Sequence, residues 1–132
     1  HPVAFWTGML TVFSGTEKEQ GLSRSCREAG VRVLGPKINI SGVSYTAQVE
    51  RHAVRKGLLS IKGVGKVAAA ELVANYPYRS IRDIGERCIA KKVTGAKKIA
   101  MGVPAAEAGG TITALFEAGA LDGLPDNHED AN

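Results

Sequence analysis

Apolar residues recur at Val3, Phe5, Trp6, Met9, Leu10 and Phe13 of "HPVAFWTGMLTVF", a spacing that predicts a short buried helix with Pro2 in its first turn. A second helix is expected over "TEKEQGLSRSCREAG". Ser14 and Thr16 are its candidate caps, acids crowd its first turn, Arg24 and Arg27 come late, and Gly30 stops it. "VRVLGPKINIS" reads as extended chain broken at Gly35-Pro36, and the alternation in "GVSYTAQVE" and "HAVRKGLLSI" predicts short strands forming a small hairpin. From residue 66 the period becomes helical. "KVAAAELVANY" runs to Pro77, and "SIRDIGERCI" follows with Ser80 as N-cap and Asp83 in capping-box position. "KKVTGAKKIAMGVPAAEAGG" has weak periodicity and reads as a basic loop with one helical turn at Pro104–Ala108. "TITALFEAGALDGL" is the last helix, capped by Thr111 and closed near Gly119, and "PDNHEDAN" has the composition of a frayed tail. The expected fold is mainly α with a small β hairpin, divided into a helical segment with short strands over 1–56, a region over 57–124 and a flexible acidic tail over 125–132.

Composition narrows the class. With 132 residues and 44% hydrophobic content the chain can bury a core, and no run of about 18 apolar residues is present. The start lacks both an initiator Met and the layout of a signal peptide, which reads as a soluble, cytoplasmic chain and hints at an excised fragment. Cys26 and Cys88 stand far apart without metal-ligand spacing, as expected of two reduced thiols. The net charge of +4 is uneven: residues 1–50, 51–100 and 101–132 carry +1, +9 and −6. A basic centre points to a polyanionic partner.

That centre coincides with "GLLSIKGVGKVAAAELV", where Gly63 and Gly65 precede an alanine-rich helix. Read as G-x-G-x-x-A the stretch is a weak dinucleotide fingerprint, because a doubly wound sheet needs further βα units that the chain lacks; the spacing of a P-loop is also missing. A helix-hairpin-helix fits better. Ile61 leads into Lys62-Gly63-Val64-Gly65-Lys66, where glycines adopt backbone angles closed to other residues and leave main-chain amides bare for a phosphate. Val64 would plug the gap between the helices, and Lys62 and Lys66 would supply mobile charge. Arg55, Lys56, Lys91, Lys92, Lys97 and Lys98 are candidate auxiliary contacts, Lys97-Lys98 lying where a second, degenerate hairpin would fall. Contacts of this kind grip duplex DNA without reading bases.

No catalytic constellation emerges. Asp83 and Glu86 sit on a basic helix, and Asp122, Asp126, Glu129 and Asp130 lie in or near the tail, so nothing matches the convergent carboxylates of metal-assisted nucleotidyl transfer. His1, His52 and His128 read as incidental. No metal site or cofactor is expected.

The order of "HPVAFWTGML", "TEKEQGLSRSCREAGVRVLGPKINIS", "GLLSIKGVGKVAAAELV", "SIRDIGERC" and "ALFEAGALDGL" resembles the alpha subunit of bacterial replicative DNA polymerase III, at the end of its fingers domain and the helix-hairpin-helix region that follows. The resemblance implies that residues 1–56 correspond to the end of the fingers and 57–124 to the helix-hairpin-helix region. It implies a sequence-independent module that holds primer-template duplex, with the remaining domains of an alpha subunit as partners. The parent family is a DNA-directed DNA polymerase, a nucleotidyltransferase; this chain alone carries no catalytic site. The sliding clamp is a further partner only through other segments, since no clamp-binding peptide of the glutamine-and-aromatic kind follows Leu124. Residues 90–110 depart from the family pattern. A protein-interaction module contacting other polymerase domains or replisome subunits is the alternative reading.

Overall fold

Helix α1 (Pro2–Val12) begins as its sequence dictates: Pro2 occupies the first turn, and His1 caps the helix by accepting the Val3 N–H on Nδ1 at 3.2 Å. The computed structural model describes residues 1–88 and 92–127. Helix α2 (Glu19–Glu28) starts a turn later than the sequence implied, without a side-chain cap. The Thr16 hydroxyl instead accepts the Lys18 N–H and donates to the Phe13 carbonyl, and Glu19 folds back to accept the Gly15 N–H. Gly30 ends α2 at φ +89°, with the Val31 N–H returning to the Cys26 carbonyl.

The expected hairpin is present as β2 (Thr46–Gln48) and β3 (Ala53–Arg55), antiparallel and joined by a 3₁₀ turn over Val49–Arg51. A third strand, β1 (Arg32–Leu34), pairs parallel to β3 with Arg32 opposite Ala53 and Leu34 opposite Arg55, so β3 is central. Of the stretch expected to be extended, residues 32–34 are; residues 38–40 turn instead, with Asn39 at φ +73° and the Ser41 N–H returning to the Lys37 carbonyl at 2.8 Å. The partner of β1 lies across an intervening stretch and leaves no local signature. Helices α1 and α2 pack on this sheet around Val3, Leu10, Cys26, Val31, Tyr45 and Val54.

A larger apolar cluster runs from Ile38 and Leu58 through Leu72 and Ile84 to Ile112 and Leu115. It joins α3 (Lys66–Ala74), α4 (Ile81–Arg87), α5 (Ala96–Ala100) and α6 (Gly110–Glu117), each fully buried Leu or Ile contributing about 1.5–3 kcal/mol. Helix α4 starts as its sequence predicts, the Ser80 hydroxyl accepting the Asp83 N–H at 3.0 Å. Burial pushes the Asp83 carboxyl up, but hydrogen bonds from the Arg79 backbone and guanidinium and the charge of Arg87 outweigh it and hold the group below the usual carboxylate range.

Three expectations for this half need correction. The basic loop contains a true helix, α5, besides the 3₁₀ turn at Ala105–Glu107. It packs so closely on α4 that a Cβ on Gly85 would lie 2.5 Å from the Ala96 carbonyl oxygen. Helix α6 is capped at Gly109 rather than Thr111; the Thr113 hydroxyl accepts the Gly109 N–H at 2.7 Å, and Thr111 is buried within the helix. Residues 125–126 are also not loose, because their carbonyls accept the Ile81 and Arg82 N–H groups at 2.9 and 3.0 Å. The remainder of the expected tail, 128–132, lies outside the described residues. Among the described residues no helix is long and apolar enough to cross a membrane.

Candidate nucleic-acid interface

Strand β3 feeds directly into the glycine hairpin. The Lys56 N–H extends the sheet by donating to the Leu34 carbonyl at 2.9 Å, and Gly57 then lets the chain pass against residues 43–44. A Cβ there would sit 2.3 Å from the Val43 carbonyl oxygen. The next turn, Leu58–Ser60, is a 3₁₀ turn tied down by bonds from Leu58 N–H to the Gly42 carbonyl and from Leu59 N–H to the Val43 carbonyl. The first arm of this helix-hairpin-helix is therefore a single tight turn rather than an α-helix.

Ile61 and Val64 are both buried in the main cluster and are linked by the bond from Val64 N–H to the Ile61 carbonyl at 3.1 Å. They clamp the loop, so that Lys62 and Gly63 project between them, exposed. The two glycines serve different ends. Gly63 takes φ +97°, and its would-be Cβ faces the Ala114 side chain of α6 at 3.2 Å, so it is the position where a side chain would be strained. Gly65 is ordinary extended chain, φ −83° and ψ 171°, and acts as the N-cap of α3 without any side-chain cap. No atom lies within 4 Å of a Cβ built on it. The first amides of α3 therefore begin at an uncapped, open helix end, with Lys66 in the first turn and Lys62 across the loop, both exposed.

The auxiliary set divides. Lys56 shares with Lys62 a shallow cavity of about 370 Å³ that α6 closes through Ala114 and Glu117. Arg55 does not belong with them: it is buried, its guanidinium donating to the Gly35 carbonyl at 2.9 Å and to Gln48 Oε1 at 3.2 Å, where it braces the strands. Burial, and then the charge of Arg51, pull it below the ordinary arginine range. Lys92 is exposed but pairs with Glu71 of α3 at 3.6 Å, and Lys97 and Lys98 are exposed on α5. Lys91 lies outside the described residues.

The Val93-Thr94-Gly95 turn before α5 imitates the first hairpin in outline, with a buried valine and a glycine N-cap. Its helix end is covered, however. A Cβ on Gly95 would meet the Gly109 carbonyl oxygen at 2.5 Å, and the Ile112 N–H donates to the Thr94 carbonyl. Of these two helix starts, the one at Gly65 is open and the one at Gly95 is packed shut. Sequence reasoning also passed over Ser23, Arg24 and Arg27 of α2, which line a second cavity with Lys56; the late position of the arginines in α2 was the only local signal.

The pattern of a buried Ile–Val clamp around an exposed Lys-Gly and a glycine-capped helix defines a class, and the helix-hairpin-helix motif family matches residues 30–101. The chain belongs to that family. Its relatives are bacterial polymerases: it is 41% identical over 88 residues to the error-prone DNA polymerase of Corynebacterium diphtheriae, covering 66% of this chain and 8% of the relative. It is 33% identical over 133 aligned positions to the error-prone DNA polymerase of Nocardia farcinica (91% and 12%), and 30% identical over 134 to the DNA polymerase III subunit alpha of Chlamydia pneumoniae (98% and 10%). The chain thus spans about a tenth of the length of the curated relatives it matches.

Proposed function

We propose that this chain is a sequence-independent DNA-binding module of a polymerase of the DNA polymerase III alpha type, which holds primer-template duplex by its backbone phosphates at Lys62, Gly63, Val64, Gly65 and Lys66. The observation that carries this reading is the uncapped, open start of α3 at Gly65 between two exposed lysines. Main-chain amides there offer donors to a phosphate oxygen while the lysines neutralise charge, an arrangement with no contact to base edges. Lys56, Lys97 and Lys98 would widen the footprint, and Lys92 less so because Glu71 already faces it. Fluorescence anisotropy against two unrelated duplexes across a salt series tests the proposal. Affinities within a factor of about ten of each other are expected, and Lys62→Ala and Lys66→Ala should each lower the slope of log affinity against log salt by roughly one. Equal slopes for wild type and the folded double variant would place the phosphate elsewhere.

A protein-contacting role is favoured at a different surface by α1, which leaves Phe5 57% and Val12 73% exposed. Contact with other domains of an alpha subunit there would be indifferent to salt, so a salt series run with such a domain in place of duplex separates the two roles.

A further inference from the structure

We propose a second phosphate site, in the cavity between α2 and the turn leading from β3 into the hairpin, that takes a backbone phosphate of the same bound duplex. The proposal rests on the duplex-binding reading above. The cavity, about 490 Å³, is lined by Arg24 and Arg27 from α2 and by Lys56. Among the described residues, none of these three cations forms an ion pair. Among the described residues Glu19 is the one acid on the wall, and both its oxygens already accept a hydrogen bond: Oε1 from the Gly15 N–H and Oε2 from the Tyr45 hydroxyl. Burial first, and then the bond to Glu19, push the Tyr45 phenol well above its ordinary range, so it stays protonated as a fixed donor to that carboxylate. The cavity keeps a surplus of positive charge.

Ser23 supplies the independent sign of a ligand. It is 8% exposed and lines the same cavity, yet its Oγ is buried without a hydrogen-bond partner. A serine within a helix either turns its hydroxyl to solvent or bonds the carbonyl four residues back, and this buried one does neither. A buried donor left open beside three unpaired cations suits an oxyanion, which would accept from Ser23 and from the guanidinium groups together. Continuity identifies the anion. Lys56 and Ser60 line both this cavity and the one that holds Lys62, so the two sites adjoin along one face and a strand gripped at the hairpin would pass from Lys62 over Lys56 to Arg24 and Arg27.

The test uses the full 132-residue chain in duplex titrations over a salt series, comparing wild type, Arg24→Ala/Arg27→Ala, Ser23→Ala and Lys62→Ala/Lys66→Ala. The double arginine variant should lower the salt slope by about one. Ser23→Ala should weaken binding about tenfold without lowering the urea midpoint, because it removes a hydroxyl that has no partner in the free protein. A normal slope in the arginine variant beside a reduced slope in the lysine variant overturns this proposal and leaves the hairpin reading intact. The reverse pattern keeps the cavity site and removes the hairpin. Unchanged slopes in both, or no duplex binding by wild type, defeat both. Inorganic phosphate added at constant ionic strength, followed by the side-chain NMR signals of Arg24 and Arg27, covers the remaining source: a response there without any effect of the arginines on duplex binding would make the site one for a free oxyanion and overturn the backbone assignment.

Discussion

Gly63→Ala and Gly65→Ala are the same chemical change two residues apart, and the structure predicts opposite consequences. At Gly63 an alanine must hold φ +97°, a conformation that costs an L-residue about 1–2 kcal/mol, and its methyl must push Ala114 of α6 outward from 3.2 Å. The reduced entropy of the unfolded chain returns about 0.4–1 kcal/mol, so the net backbone loss is about 0–1.6 kcal/mol, to which the displaced Ala114 contact adds. With a urea dependence of about 2 kcal/mol per molar, the backbone part alone lowers the unfolding midpoint by up to about 0.8 M. At Gly65 the backbone is already extended and nothing lies within 4 Å, so the same entropic gain is set against the poorer capping of alanine and stability stays within about 0.5 kcal/mol of wild type. Its methyl stands instead where a phosphate would approach α3, so Gly65→Ala should weaken duplex binding while remaining folded. Paired urea titrations with anisotropy on both variants check this. A Gly63→Ala chain at least as stable as Gly65→Ala would refute the assignment of strain to Gly63.

Gly85→Ala should destabilise by about 1–3 kcal/mol in urea, because its methyl would meet the Ala96 carbonyl and the Ala100 nitrogen of α5, backbone that cannot rotate away. Ser80→Ala should cost about 1 kcal/mol by removing the cap of α4, measured in the same way. Asp83 favours its carboxylate in the folded state, so its contribution is complete above the ordinary carboxylate range near pH ~4 and is lost as the pH falls through the lower folded value. Urea midpoints of wild type should therefore decline in that acid range, and Asp83→Asn should be less stable at neutral pH and show a shallower decline.

Legibility followed the range of the interaction. The hairpin could be read because its buried Ile61 and Val64, its bare glycines and its lysines fall within one short stretch, and α4 because Ser80 and Asp83 cap it locally. Helix α2 was placed a turn early because a threonine hydroxyl serves equally well in the turn before a helix as at its cap, and Thr16 is bound to Phe13 and Lys18. Helix α5 escaped because Ala96–Ala100 is too short to show a period and sits among glycines that read as loop. Arg55 looked like its lysine neighbour until the strands brought Gly35 and Gln48 to its guanidinium. The cavity of Ser23, Arg24 and Arg27 with Lys56 needed the same tertiary information, as did the bonds from α4 to the carbonyls of 125 and 126.

The position of β3 has a mechanical consequence. Only Lys56 and Gly57 separate the central strand from the 3₁₀ turn that carries the hairpin, and that turn is itself bonded to residues 42 and 43. Force entering the hairpin along the axis of β3 is met by β1 on one side and β2 on the other, which resist sliding through their ladders together. Strand pairs loaded lengthwise must break several bonds at once rather than peel one at a time, so the hairpin is anchored most firmly along that axis.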